Sequence, residues 1–180
     1  MNQTLYFLRR DVDPWYDEDS SAEYVHFRKE LLWLDSDLVK AASVEFEQSL
    51  APAMSTIQTT PEIALGILES YTGRFAPEFE YEEWAIGWRD RLQAMYLHAV
   101  QAATRELVTR GSWTRAIAVV QQALAVAPDT TDLDRWLVWL YSAANAPAAA
   151  AEQYRHYVGT YREEYGEEPP SFEKVRSDGL

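Results

Sequence analysis

The rhythm of apolar positions changes near residue 36. Before it, Leu5, Tyr6, Phe7 and Leu8 form a short helical run closed by Arg9-Arg10. Asp13-Pro14 then stops the helix, because proline disfavours helix in the residue ahead of it. WYDEDSSAE is a polar loop. In YVHFRKELLWLD, Val25 and Phe27 alternate with His26 and Arg28, Lys29-Glu30 break the run, and LLWL follows. That pattern, rich in aromatic and β-favouring residues, predicts a hairpin, and it is the only strand signal relied on here.

Past Ser36 the spacing is helical. Ser36 or Asp37 is expected to cap a short turn, and Ser43 to cap a helix carrying Val44, Phe46 and Leu50. Thr60-Pro61-Glu62 opens a helix, with proline pre-set for the first turn, and Ile63, Leu65, Ile67, Leu68 and Tyr71 lead to a stop at Gly73. The connector RFAPEFEYEEW precedes a long helix over about 82–110 that carries Trp84, Trp88, Leu92, Met95, Val100 and Leu107. Gly87 inside it marks close packing or a bend. Gly111 ends that helix and Ser112 caps the next, over 113–127, which Pro128 stops. After the turn 129–132, a helix passes through Leu133, Trp136, Leu137, Leu140 and Tyr141. A last long helix covers 148–165 and ends at Gly166, with one more turn around Phe172 to Val175.

Two of these helical turns echo each other. GSWTRA at 111–116 and NAPAAA at 145–150 lie 34 positions apart, the period of tetratricopeptide (TPR) helix pairs. In that register Leu107 pairs with Tyr141, Gly111 with Asn145, Ala116 with Ala150, and Val120 with Tyr154. A small residue early in each second helix lets two helices approach closely. The second unit has Tyr157 and Arg162 where alanine and proline would stand, as in a terminal unit with a solvated outer face. Stacked pairs of this kind present a recognition surface. The first helices of each pair, parts of 82–110 and 133–145, are its expected face, with Arg105, Trp113 and Tyr141 as candidate contact residues. Trp84 and Trp88, four apart, and Trp136 and Trp139, three apart, have core spacing, whereas Trp113 in a turn is expected half-exposed.

Composition narrows the function. The formal charge of −13 and pI near 4.6 oppose binding to a phosphate backbone. The absence of cysteine removes disulfides, thiol nucleophiles and Cys-based zinc sites, and fits a reducing cytoplasm. His26, His98 and His156 lack metal-ligand spacing. Neither a Ser/His/Asp order, a glycine-rich phosphate loop nor HExxH occurs, so the expectation is a non-enzyme without cofactor or metal. No apolar run approaches the roughly 18 residues of a membrane span, and the N-terminus lacks a signal-type core; a soluble, cytoplasmic protein is expected. Two acidic runs, Glu78, Glu80, Glu82, Glu83 and Glu163, Glu164, Glu167, Glu168, read as solvated faces, with attraction of a basic partner the alternative.

The order of segments resembles one family. LYFLRRDVD, YVHFRKELLWLD and DSDLVKAASVEFEQSL are similar to the end of an OmpR-type winged helix as found in SARP-like regulators: a recognition helix with an LRR signature, a wing hairpin, then a "D…FE" helix. ESYTGRFAPEFEYEEWAIGWRDRL resembles that family's "Y-x-G-[D/R]-F/L … W … R-x-x-L" connector and long helix. EQYRHYVGTYREEYGEEPP, ending at Pro169-Pro170, is similar to its closing "E-[L/Y]-G-x-E-P". The family is the bacterial transcriptional activator domain (BTAD), a TPR-like helical domain paired with a DNA-binding winged helix, and the resemblance covers nearly the whole chain.

What the resemblance implies is a mainly α fold: a TPR-like α-hairpin superhelix preceded by a short helix and β-hairpin. Residues 1–35 would be a partial winged-helix remnant starting inside the recognition helix, and 36–180 the helical domain. Arg9 and Arg10 would reach phosphate only in an intact parent; in this chain they read as a solvated helix end. Partners would be the transcription machinery or a second copy in a homodimer, with DNA bound only through a complete winged helix. The alternative function is a stand-alone TPR-like adaptor or scaffold, and a third is a small-molecule sensor.

Overall fold

A computed structural model of the chain describes residues 3–179; Met1, Asn2 and Leu180, and with Met1 the question of the native start, lie outside the described residues. The chain divides into two compact units, one up to Glu45 and one from Phe46. The described residues are mainly helical with a single two-stranded hairpin near the start, as the sequence predicts.

In the first unit α1 (Gln3–Val12) precedes β1 (Val25–Arg28) and β2 (Leu31–Leu34). The strands are antiparallel, with Val25 opposite Leu34 and Arg28 opposite Leu31. The two-residue turn has φ of +51° at Lys29 and +67° at Glu30, the left-handed pair that Asn-Gly would adopt more cheaply. Arg9 ties the helix to the hairpin. Its Nε and Nη2 donate to the Val25 carbonyl at 3.1 and 3.0 Å, its Nη1 donates to the Tyr16 hydroxyl at 2.9 Å, and it pairs with Glu23. Arg9 is therefore not a solvated helix end: its side chain is 12% exposed. Arg10 is exposed, with its guanidinium over the Tyr6 ring.

The second unit is helical: α2 (Ala42–Ser55, begun in the first unit), α3 (Pro61–Leu68), a 3-10 turn (Pro77–Phe79), α4 (Glu83–Thr109), α5 (Trp113–Val126), α6 (Thr131–Ala143), α7 (Pro147–Tyr165) and α8 (Phe172–Asp178). Each of α3 to α6 packs on the next, and α8 packs on α6. Leu92, Tyr96, Ala99, Ala103 and Leu107 recur at three and four residues along α4, so a single stripe packs on α5 and shares one core with Ala116, Val120 and Ala123 of α5 and Leu133, Leu137 and Leu140 of α6. Burying each large apolar side chain of that set contributes about 1.5–3 kcal/mol. A smaller cluster of Val138, Tyr157 and Val175 joins α6, α7 and α8.

The 34-residue echo is present in the backbone itself. At the end of α4, Gly111 has φ +70°, its N–H donates to the Val108 carbonyl at 2.9 Å, and the Ser112 N–H reaches back to Leu107 at 2.8 Å. At the end of α6, Asn145 has φ +58°, its N–H donates to Ser142 at 3.2 Å, and the Ala146 N–H reaches back to Tyr141 at 2.8 Å. Both are Schellman stops, which need a left-handed residue; glycine meets that need without steric cost and asparagine at little. Ala116 and Ala150, five residues beyond Gly111 and Asn145, are both fully buried.

Several local expectations are corrected. Ser43 lies inside the first turn of α2 rather than capping it. Asp35, not Ser36 or Asp37, caps the preceding turn, its Oδ1 accepting from the Asp37 and Leu38 N–H groups. The third helix ends at Leu68, before Tyr71 and Gly73. Ser112 makes no side-chain cap, whereas Ser171 does, accepting from the Lys174 N–H. The closing helix is seven residues long rather than one turn. Gly87 is not a close-packing site, for a Cβ there would meet nothing within 4 Å. Trp84 is 59% exposed rather than in the core, because it sits in the first turn of α4, ahead of the helices that cover the stripe.

Candidate interaction surface

The three candidate contact residues occupy different places. Arg105 is exposed on α4. Trp113 opens α5 half-buried, its ring 6.1 Å from that of Trp139 on α6. Tyr141 is half-buried on α6, and its hydroxyl accepts from the Gln121 side chain of α5 at 2.9 Å. Residues two apart on a helix point about 200° apart. Trp113 against Trp139 and Gln121 against Tyr141 therefore engage different sides of α6, and the structure does not gather the two aromatic candidates into one patch.

Two concavities flank this arrangement. One, of about 200 Å³, lies among α3, α4 and α5 and is lined by Leu65, Leu68, Tyr96, Val100 and Val119 with the polar side chain of Arg115. Burial, and then the Tyr71 ring stacked on it at 4.3 Å, push the Tyr96 hydroxyl up to about 12. It stays a neutral donor across the physiological range. The other, of about 490 Å³, lies where the Asn145 turn meets α8, lined by Ser142, Asn145, Pro147, Ala151, Phe172 and Arg176.

Between α6 and α7 a polar lock stands beside the apolar packing. Asp134 is fully buried, and its Oδ1 accepts from Gln153 Nε2 at 2.6 Å and meets His156 Nδ1 at 3.0 Å, while Oδ2 has no hydrogen-bond partner. Desolvation raises the Asp134 pKa, and His156 opposes the rise. Thr160 of α7 also bears on Asp134, and Asp132, exposed on α6, pairs with Arg135 at 3.3 Å. Among the described residues no cluster of three or more histidine or acidic side chains is placed to hold a metal ion.

Residues 38–173 match the family described as Bacterial transcriptional activator domain. The match spans well over half of the chain, and it falls almost wholly on the helices just described. The chain belongs to that family. The domain is thus of the transcriptional-activator regulatory type. Comparison with curated proteins and with solved structures returned no significant match. No described helix of the activator domain is long and apolar enough to cross a membrane.

One organising residue of the activator domain escaped the reading by spacing. Arg89 is 7% exposed and donates to four carbonyls of the connector: Nε to Phe75 at 2.9 Å, Nη1 to Glu80 at 3.1 Å, and Nη2 to Ala76 and Phe79 at 2.9 and 3.1 Å. Guanidinium offers five donors in a fixed fork, and here it holds a loop that has no ladder of its own. The signal was available. Arg89 lies between Ala85 and Leu92 on the apolar stripe of α4, where an unpaired charge would not be tolerated.

Proposed function

We propose that this activator domain is the interaction and signal-response part of a SARP-type transcriptional regulator, working in the cytoplasm through protein–protein contacts and not binding DNA by itself. The observation that carries the reading is the family match over 38–173 falling on two α-hairpins with the same Schellman geometry 34 residues apart. We read those hairpins as TPR-like, and units of that kind use the surface of stacked pairs to hold protein partners. The charge of −13 supports the absence of DNA affinity, since counter-ion release needs cationic contacts to phosphate. Arg9, the arginine nearest to a phosphate-reading role, is consumed within its own unit. Catalysis is not part of this reading, and neither is a bound cofactor. In a complete regulator the first unit would serve as the end of a winged helix, its recognition helix and wing.

The test pairs two measurements on this chain. Its association with bacterial RNA polymerase, and with itself, is followed by sedimentation velocity for the wild type and for Arg105→Glu; a mobility shift is run with duplex DNA. The expected result is a protein complex weakened tenfold or more by the charge reversal, with no duplex shift. A salt-sensitive, sub-micromolar shift of duplex, or protein association absent altogether, rejects the proposal.

A further inference from the structure

The connector and the start of α4 carry a second surface, about 33 Å along the helix from Arg105 at 1.5 Å per residue. Arg89 clasps the connector by four carbonyls, and Ala76, one of those it holds, sits in the left-handed region at φ +46° and ψ +58°. The clasp fixes what the loop displays. Phe79, Tyr81 and Trp84 are 49%, 88% and 59% exposed. Trp84 is steadied from beneath, with Phe79 tilted against it at 5.4 Å and the edge of Phe75 at 6.3 Å. Next to these rings along the connector and the first turn of α4 come Glu78, Glu80, Glu82 and Glu83, all exposed, and none is ion-paired among the described residues. Arg91, the exposed cation of this stretch, is already engaged by Glu47 and lies over Trp88.

We propose that this patch is a docking site for a lysine- or arginine-rich segment of a partner protein that carries an apolar anchor. The charge is complementary to such a segment and to little else. Phosphate-bearing partners are repelled by four uncompensated carboxylates, and a second copy of this chain brings its own charge of −13. Exposed tryptophan and tyrosine faces attract ammonium and guanidinium groups, and large aromatics are the residue types that dominate binding energy at interfaces. Because Arg89 has already ordered the loop, a partner pays little to order it again. This site is independent of the face tested by Arg105→Glu.

The test uses the full chain and a synthetic peptide of lysine and arginine interspersed with leucine; the control peptide has glutamate at every basic position. Binding is measured by calorimetry for the wild type, Trp84→Ala, the pair Glu80→Lys and Glu82→Lys, and the distant pair Glu163→Lys and Glu167→Lys, with thermal melts to confirm folding. The expected outcome is a Kd at least tenfold weaker for Trp84→Ala and for the near pair. The distant pair should bind like the wild type, affinity should fall with added salt, and the glutamate peptide should not bind. Equal weakening by the distant pair overturns the proposal, as do indifference to Trp84→Ala and failure of the basic peptide to bind.

Discussion

β2 is four apolar residues in a row, Leu31 to Leu34, and all four are exposed. Trp136, Leu137 and Val138 of α6 are no more apolar, and all three are buried. The difference is the number of layers. α6 is packed by α5, α7 and α8, whereas up to Glu45 the described chain offers one helix and a two-stranded sheet, and Val25 is its one buried residue. An isolated hairpin is marginal in water, and a sheet or helix stripe is stabilised only by burial against a second layer. In the first unit polar ties take over that role, with Arg9 on the Val25 carbonyl and His26 on Asp35 at 2.8 Å.

The largest expected effect sets the two apolar runs against each other. Leu137→Ala should cost about 2–5 kcal/mol in denaturant-induced unfolding, as a buried leucine leaves a cavity, while Leu32→Ala should change stability by less than about 0.5 kcal/mol. Comparable losses would mean that β2 is covered in solution. Next in size, Ala150→Leu should cost about 1–3 kcal/mol by overpacking the α6–α7 contact, with Ala148→Leu, on the exposed side of the same turn, close to neutral. A silent Ala150→Leu would remove the reason for small residues at the repeat position.

The smallest effect is the most discriminating, because the two Asp–His pairs should respond to pH with opposite sign. Asp134 is held above the ordinary carboxylate range by desolvation. Its folded form keeps a proton that the unfolded chain has released, so its contribution is full below the unfolded pKa, roughly 4, and is lost as pH rises through the raised value. Asp134→Asn, which cannot ionise, should therefore gain on the wild type in thermal melts as pH rises towards neutrality. Asp35 is held below that range, first by the His26 hydrogen bond and then by the Asp37 N–H. Its contribution is present above the unfolded pKa and is lost as pH falls through the depressed value. Hairpin amide signals followed by NMR should broaden or shift in acid while the helical unit holds. Like signs in the two units would show that burial does not distinguish them.

How much was legible follows from the range of each interaction. Gly111 and Asn145 announced their turns because left-handed backbone is a local demand with few residue types to meet it, and the repeat at 34 residues could be counted directly. Caps were less legible: Ser43, Ser112 and Ser171 are the same residue type, and only at Ser171 does the side chain turn to the backbone. Trp84 and Trp88 have core spacing, yet spacing gives a side and not what covers it. Arg105, Trp113 and Tyr141 shared a repeat logic, but the rotation of α6 decides which side each partner meets.

By itself the sequence determined the helix boundaries to within a few residues, the single hairpin, the paired α-hairpins and the family they belong to. The elements and their pairing rest on periodicity, turn chemistry and local order, and the family on the resemblance of motifs in the same order along the chain. Only the tertiary structure decided that Arg9 and Arg89 are clasps rather than free charges, that Asp134 is buried, and that the aromatics of the connector face outward. Those depend on which distant groups supply carbonyls, carboxylates or cover, and no spacing along one chain encodes the distance between two elements that meet only after folding.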